Sequence, residues 1–258
     1  MLSYQHAYHA GNLADVHKHA LLAEALEYLT RKDKPLSYIE THAGRGLYDL
    51  TSAEALKTGE AAQGISQVQH WFAKDSPYLR ALSRVRAAHG DAAYPGSPLI
   101  AQALLRDTDR LHLAELHPQE YAALKKAAWA RNTKRYQQDG FELAQGLCPP
   151  EPRRGLMLID PSWEIKDDYA RLPKFLADLT RKWNVGVIML WYPILTDPQH
   201  RPMIRALQAA YPEALTSEVH FPPARDGHRM VGSGMFVINP PWGLDETAKS
   251  LAKRFAAL

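Results

Sequence analysis

Cysteine is nearly absent: Cys148 is the one copy in 258 residues. An internal disulfide and a cysteine-rich zinc site are therefore excluded, and a reducing compartment fits. Long apolar runs are also missing. The longest, Val185 to Leu195, is broken by Pro193 and falls short of the roughly 18–20 residues that span a bilayer. The first residues, with Tyr4, His6, His9, Asp15, His17 and Lys18, lack the basic segment and apolar core of a secretory leader. No signal peptide, no membrane association and a cytoplasmic location are expected. No Gly-Lys-Ser/Thr loop exists to cradle a triphosphate. Gly44 and Gly46 do not complete a dinucleotide fingerprint, because the third glycine would fall at Asp49. The early histidines His6, His9, His17 and His19 have no His-Glu-x-x-His spacing and no cysteine partner, so no metal site is expected.

What is present is ordinary for a globular chain: 46% hydrophobic and 23% charged residues, long enough for one large α/β domain over 1–258. A net charge of +3 permits a polyanionic partner without demanding one.

Asn12 is placed to cap a helix running to about Arg31, with Val16, Ala20, Leu22, Ala23, Leu26 and Leu29 along one broad face. Leu36 to Thr41 reads as a buried strand, and His42-Ala43-Gly44-Arg45-Gly46 as a turn where backbone can approach a ligand closely. A helical insertion is expected over about 50–96, with one helix through Ile65, Val68 and Phe72 and another opened by Ser76-Pro77. Alternation then returns: a helix at 99–105, strands at 110–116 and 133–138, the strand Leu156–Asp160, a helix at 168–182, the strand Val185–Trp191 and a helix at 200–210. This order predicts a parallel sheet. The last two strands, at 215–221 and 232–238, are too close for a parallel crossover and should pair antiparallel before a final helix at 244–257.

Leu156-Met157-Leu158-Ile159 runs straight into Asp160-Pro161-Ser162-Trp163. Such an ending suits an enzyme that grips the amino group of a nucleobase. The exocyclic nitrogen of adenine has a delocalised lone pair, and acceptors must draw its hydrogens aside; Asp160 and the Pro161 carbonyl supply them. Trp163 offers a face for an extruded base. A rival, Asn239-Pro240-Pro241-Trp242, closes the last strand. Ligands of parallel sheets bind beyond the carboxyl ends of strands, where strand order reverses. Asp160 should lie there, near Gly44, whereas the antiparallel last strand carries Asn239 to the far edge as a structural stop. Glu115 ends the second strand, suited to ribose hydroxyls, and Asp139 ends the third, suited to an adenine amino group. The layout fits S-adenosylmethionine. Arg131-Asn132-Thr133-Lys134-Arg135, Arg153-Arg154 and Arg225-Asp226-Gly227-His228-Arg229 are candidates for phosphate contact.

Across nearly its whole length the chain resembles the RlmJ family, bacterial enzymes that methylate N6 of an adenine in 23S ribosomal RNA. The resemblance is carried by Met1-Leu2-Ser3-Tyr4, His9-Ala10-Gly11-Asn12, Asp15, His19, Thr41-His42-Ala43-Gly44 and Tyr94-Pro95-Gly96-Ser97-Pro98-Leu99-Ile100-Ala101. It continues through Glu115-Leu116-His117-Pro118, Asp139-Gly140-Phe141, Leu190-Trp191-Tyr192-Pro193, Ser233-Gly234-Met235 and Asn239-Pro240-Pro241-Trp242. It implies a Rossmann-like class I methyltransferase sheet with a small helical insertion. It further implies S-adenosylmethionine bound through His19, His42, Ser97, Glu115, Asp139, Gly140 and Asp160, with Lys18 sharing the pocket. Asp160 matches the family's catalytic acid, and Tyr4 a residue that meets RNA. A monomer acting on protein-free 23S RNA, or on an early assembly intermediate, follows by the same analogy. The family pattern is Asp-Pro-Pro-Tyr, so Ser162 and Trp163 are departures: stacking survives, and some backbone pre-organisation is lost. Two other readings stay open: a different amino acceptor, such as DNA adenine or a protein amine, and a non-catalytic RNA-binding descendant.

Overall fold

The structure is a computed structural model that describes residues 5–225 and 227–258. The first helix, α1 (Leu13–Thr30), is capped as expected: Asn12 Oδ1 accepts from the Asp15 N–H at 2.8 Å. Its burial differs from expectation. Instead of one apolar face, the helix is enclosed on all sides from Ala14 to Ala23, so that Asp15, His17, Lys18 and His19 are buried with the leucines, and only Glu24, Glu27, Tyr28 and Thr30 towards its end are partly exposed. The elements introduced below surround it, so its polar side chains need partners inside the protein.

β1 (Ser37–Glu40) leads to a neck formed by β2 (Leu47–Asp49), which pairs antiparallel with β3 (Ala93–Pro95). Between them lie α2 (Ala53–Thr58), α3 (Glu60–Gln63), α4 (Ile65–Val68) and α5 (Pro77–His89). The helix expected through Ile65, Val68 and Phe72 is present as α4 followed directly by a 3-10 turn at Gln69–Trp71, and Gly59 and Gly64 separate the short helices that precede it. Gly64 allows this: a Cβ there would sit 2.1 Å from the Gly11 carbonyl oxygen. Next come α6 (Ser97–Leu104), β4 (Arg110–Ala114), α7 (Pro118–Ala127), β5 (Thr133–Tyr136), α8 (Gly140–Leu147) and β6 (Gly155–Ile159). The chain finishes with α9 (Asp167–Lys182), β7 (Val187–Leu195), α10 (His200–Ala210), β8 (Leu215–His220), β9 (Met230–Ile238) and α11 (Leu244–Phe255).

Seven strands form one sheet in the order β5-β4-β1-β6-β7-β9-β8. The five on the β5 side are parallel, while β9 runs antiparallel to both β7 and β8. The Rossmann-like class I sheet with its antiparallel C-terminal pair is therefore as expected. α1, α5, α6 and α11 cover one face, with α1 packed on α5, α6, α11 and β9; α8, α9 and α10 cover the other. β7 continues past its expected end at Trp191 because β9 pairs with it as far as Leu195, whereas β6 pairs only with Val187 to Leu190. Beyond that point one flank of β7 is unpaired, which tolerates Pro193. Among the described residues no helix is long and apolar enough to cross a membrane.

Candidate active site

β1 is flanked by β4 on one side and β6 on the other. At this switch in strand order, over the carboxyl ends, a cavity of about 360 Å³ opens. Every described residue expected at the site lines it: Lys18, His19, His42, Ser97, Glu115, Asp139, Gly140, Asp160, Pro161 and Trp163. Tyr4 lies outside the described residues.

Asp160 follows the last residue of β6, and its Oδ2 accepts from Lys18 Nζ at 2.6 Å. Lys18 also meets Asp15 Oδ1 at 3.1 Å. Burial disfavours the ammonium, but Asp160 and Asp15 outweigh it and hold Lys18 above its ordinary range. Burial likewise opposes an ionised Asp15, yet His6, Lys18 and His19 keep that carboxyl well below the usual range. His6 Nε2 lies 2.8 Å from Asp15 Oδ2, so a row His6, Asp15, Lys18, Asp160, buried in its middle and partly exposed at both ends, leads into the cavity. Lys18 also sits over the Trp191 ring, 5.5 Å from its centroid.

On the other side of the cavity the strand tips supply acceptors. Glu115, just past β4, takes the Gly44 N–H at 2.8 Å and the His117 N–H at 2.7 Å, while burial raises its pKa. Gly44 has φ +61°, a conformation that favours glycine. Asp139 caps α8 through Oδ1, which accepts from Phe141 and Glu142. Gly140 is required by contact as well: a Cβ would lie 1.8 Å from the Thr41 carbonyl oxygen. The residue after β1 and the first residue of α8 therefore touch through bare backbone.

Burial lowers His19 to about 3 and His42 to about 4, so both imidazoles are neutral near pH 7. His19 Nδ1 pairs with Tyr94 Oη at 2.9 Å, and His42 Nδ1 with Thr41 Oγ1 at 2.8 Å. Ser97 donates to Glu40, a fully buried carboxyl that burial pushes up to about 8. Trp163 is 9% exposed, has φ +59°, and packs against Tyr169 with ring centroids 4.4 Å apart. One face of the indole is thus backed by protein.

These residues fit S-adenosylmethionine: acceptors stand at the tips of β4 and β5, backbone clears the floor, and an acid stands at the tip of β6. Sequence reasoning missed Asp15 and His6 as site residues, along with Glu40 and Trp191. No spacing rule joins them to Asp160; the packing of α1 does. The rival Asn239 lies beyond Ile238, which pairs with Ile188 at the start of β7, on the opposite edge of the sheet. Of the basic segments, 131–135 and 153–154 also begin at that far edge, before β5 and β6. The segment from Arg225 leads into β9 beside the cavity, and His228 lines it, while Asp226 is outside the described residues.

Comparison with known proteins agrees with this geometry. The model of the family described as "Ribosomal RNA large subunit methyltransferase D, RlmJ" matches residues 33–257. The chain is 41% identical over 253 residues to ribosomal RNA large subunit methyltransferase J of Escherichia coli, covering 95% of this chain and 90% of that one. It is 39% identical over 259 residues to the protein of the same name from Haemophilus influenzae, covering 97% and 92%. The crystal structure of protein LPL1258 from Legionella pneumophila superposes with a TM-score of 0.86 at 33% identity, covering 96% of this chain and 93% of that one. With a family model across most of its length and an acid, a buried lysine and two strand-tip carboxylates around one cavity, the chain belongs to the RlmJ family of ribosomal RNA large subunit methyltransferases.

Proposed function

We propose that this chain is a single-domain, S-adenosylmethionine-dependent methyltransferase that modifies the N6 amino group of an adenine in 23S ribosomal RNA. The observation that carries the reading is Asp160 at the tip of β6, inside the cavity, with Lys18 on one carboxylate oxygen. His19, His42, Ser97, Glu115, Asp139 and Gly140 would hold the cofactor, which supplies an electrophilic methyl group when bound.

The target adenine leaves its RNA context and stacks on the cavity side of Trp163, whose far side rests on Tyr169. Lys18 occupies Asp160 Oδ2 and so fixes the carboxylate plane, leaving Oδ1 to accept one amino hydrogen. The Pro161 carbonyl accepts the other. Held this way, the nitrogen lone pair turns out of conjugation towards the methyl group. Most of the rate gain is then orientation. Asp160 need not act as a strong base beforehand, because the methylated nitrogen is cationic and sheds its proton readily to a neighbouring carboxylate. The same reading has a monomer acting in the cytoplasm on protein-free RNA or an early assembly intermediate.

Incubation with labelled cofactor and unmodified 23S RNA, followed by nucleoside analysis, tests the proposal. N6-methyladenosine is expected from the wild type, and Asp160→Ala should slow its formation by about 10²–10⁴-fold. Label in DNA or protein in place of 23S RNA, or undiminished product from Asp160→Ala, would refute it.

A further inference from the structure

Arg171 lines the same cavity from the start of α9, and no role described so far includes it. Its guanidinium carbon lies 3.9 Å from the centroid of the Phe141 ring. Phe141 is wedged between His42, with ring centroids 5.0 Å apart, and Phe175, at 4.9 Å, both edge to face. Only 5% of Phe141 is exposed, whereas the Arg171 side chain is 45% exposed. Arg171 therefore presents to the cavity the surface that Phe141 would otherwise show.

Few protein groups hold the guanidinium. Among the described residues its acidic neighbour is Asp168, whose Oδ1 is 3.7 Å from Nη1, beyond hydrogen-bond reach. That oxygen is buried and has no hydrogen-bond partner. Stacking on Phe141 and the nearby charge set where Arg171 lies, and its planar donors stay free for something else.

We infer that Arg171 is a cofactor-binding residue of this chain, closing the purine end of the pocket by laying its open face on the adenine ring beside Asp139. The inference rests on the cofactor reading above. Its place in the sheet selects the purine end: Asp139, Gly140 and Phe141 follow β5, Glu115 follows β4 one strand nearer the centre, and Asp160 lies across β1. A guanidinium is flat on both sides, so it can stack on Phe141 with one face and on a purine with the other. Asp168 acts as its positioning residue, holding the cation over the ring from three residues earlier in α9.

Calorimetric titration of S-adenosylhomocysteine, and separately of adenosine, into wild-type, Arg171→Ala and Arg171→Lys proteins provides the test. Both variants should bind both ligands roughly three- to thirtyfold more weakly, because lysine keeps the charge but loses the plane. Affinity for unmodified RNA, and its salt dependence, should be unchanged. Arg171→Lys guards against misfolding of the alanine variant, and circular dichroism checks both. Wild-type affinity for both ligands in a folded variant overturns the inference, as does weakened RNA binding with ligand affinity intact, which would assign Arg171 to a phosphate. If the wild type binds neither ligand, the cofactor reading itself fails and this inference falls with it.

Discussion

Ile159 and Ile238 each end a buried strand, and each is followed by a polar residue, a proline and, four places on, a tryptophan. Each segment also holds a non-glycine residue in the left-handed region, Trp163 at φ +59° and Asn239 at φ +53°. Their surroundings are opposite. Asp160 meets the ammonium of Lys18 inside a cavity, while the Asn239 side-chain amide donates to the backbone carbonyls of Asn184 and Gly186 and stitches down the start of β7. Trp163 is 9% exposed against Tyr169, and Trp242 is 79% exposed. A near-repeat of a motif thus has no fixed meaning. Strand direction decides it, because parallel β6 delivers its tip to the carboxyl edge and antiparallel β9 delivers its tip to the other.

The largest expected contrast between the two segments is in turnover, where Asp160→Ala loses the orders of magnitude given above. Acid comes next and acts on both. His17 binds Ser233 of β9 and Ser217 of β8, and His19 borders the cavity; burial depresses each to about 3. In the unfolded chain a histidine takes its proton near pH 6.5, so the unfolded state gains protons first. Stability from these two groups is complete above about pH 6.5 and falls as pH drops towards 3, by about 1.4 kcal/mol per pH unit for each. Glu40, raised to about 8, shifts stability the other way over this range, so urea unfolding at pH 7 and 5.5 is compared between the wild type and the His17→Asn and His19→Asn variants; a variant with the wild type's pH dependence would show that its histidine is not held neutral.

Asn239→Ala should lower unfolding stability by about 1–2 kcal/mol through two lost hydrogen bonds and leave the rate of methyl transfer by the folded enzyme unchanged. A drop in turnover comparable to that of Asp160→Ala would erase the distinction between the segments. The smallest effect belongs to Ser162→Pro, which restores the family's second proline. It should raise stability by about 0.4–1 kcal/mol and change single-turnover rate by less than about threefold. A tenfold change in rate would mean that the serine takes part in the reaction.

Much of the fold is legible from residues alone, since the relevant signals are local. Asn12 caps α1 three residues before Asp15, and the short connection between β8 and β9 forces them antiparallel. The acids Glu115 and Asp160 are readable because each directly follows a strand rich in apolar residues, and Asp139 because with Gly140 it forms a turn signal. The neck of β2 and β3 is not, because three-residue strands are too short to show an alternating pattern. Nor is α8, whose cap Asp139 was read for its chemistry and not for its helix. The pairing of Lys18 with Asp160 joins residues 142 positions apart. The enclosure of the first turns of α1 on every side hides it further, since a helix carrying Asp15, His17, Lys18 and His19 reads as half exposed until its partners are known.

The place of β6 in the sheet has a consequence for biosynthesis. A nascent chain that ends before Gly155 can pair β1 with β4 but leaves its other flank as a bare edge, open to any passing strand. In that chain Lys18 has lost the counter-charge that Asp160 provides. Pairing of β6 with β1 brings Asp160 to Lys18 beside Asp15 and moves the open edge to β6, where β7 covers it. Polypeptides interrupted before β6 are therefore both adhesive and without the acid, and the edge stays open until β7 is in place.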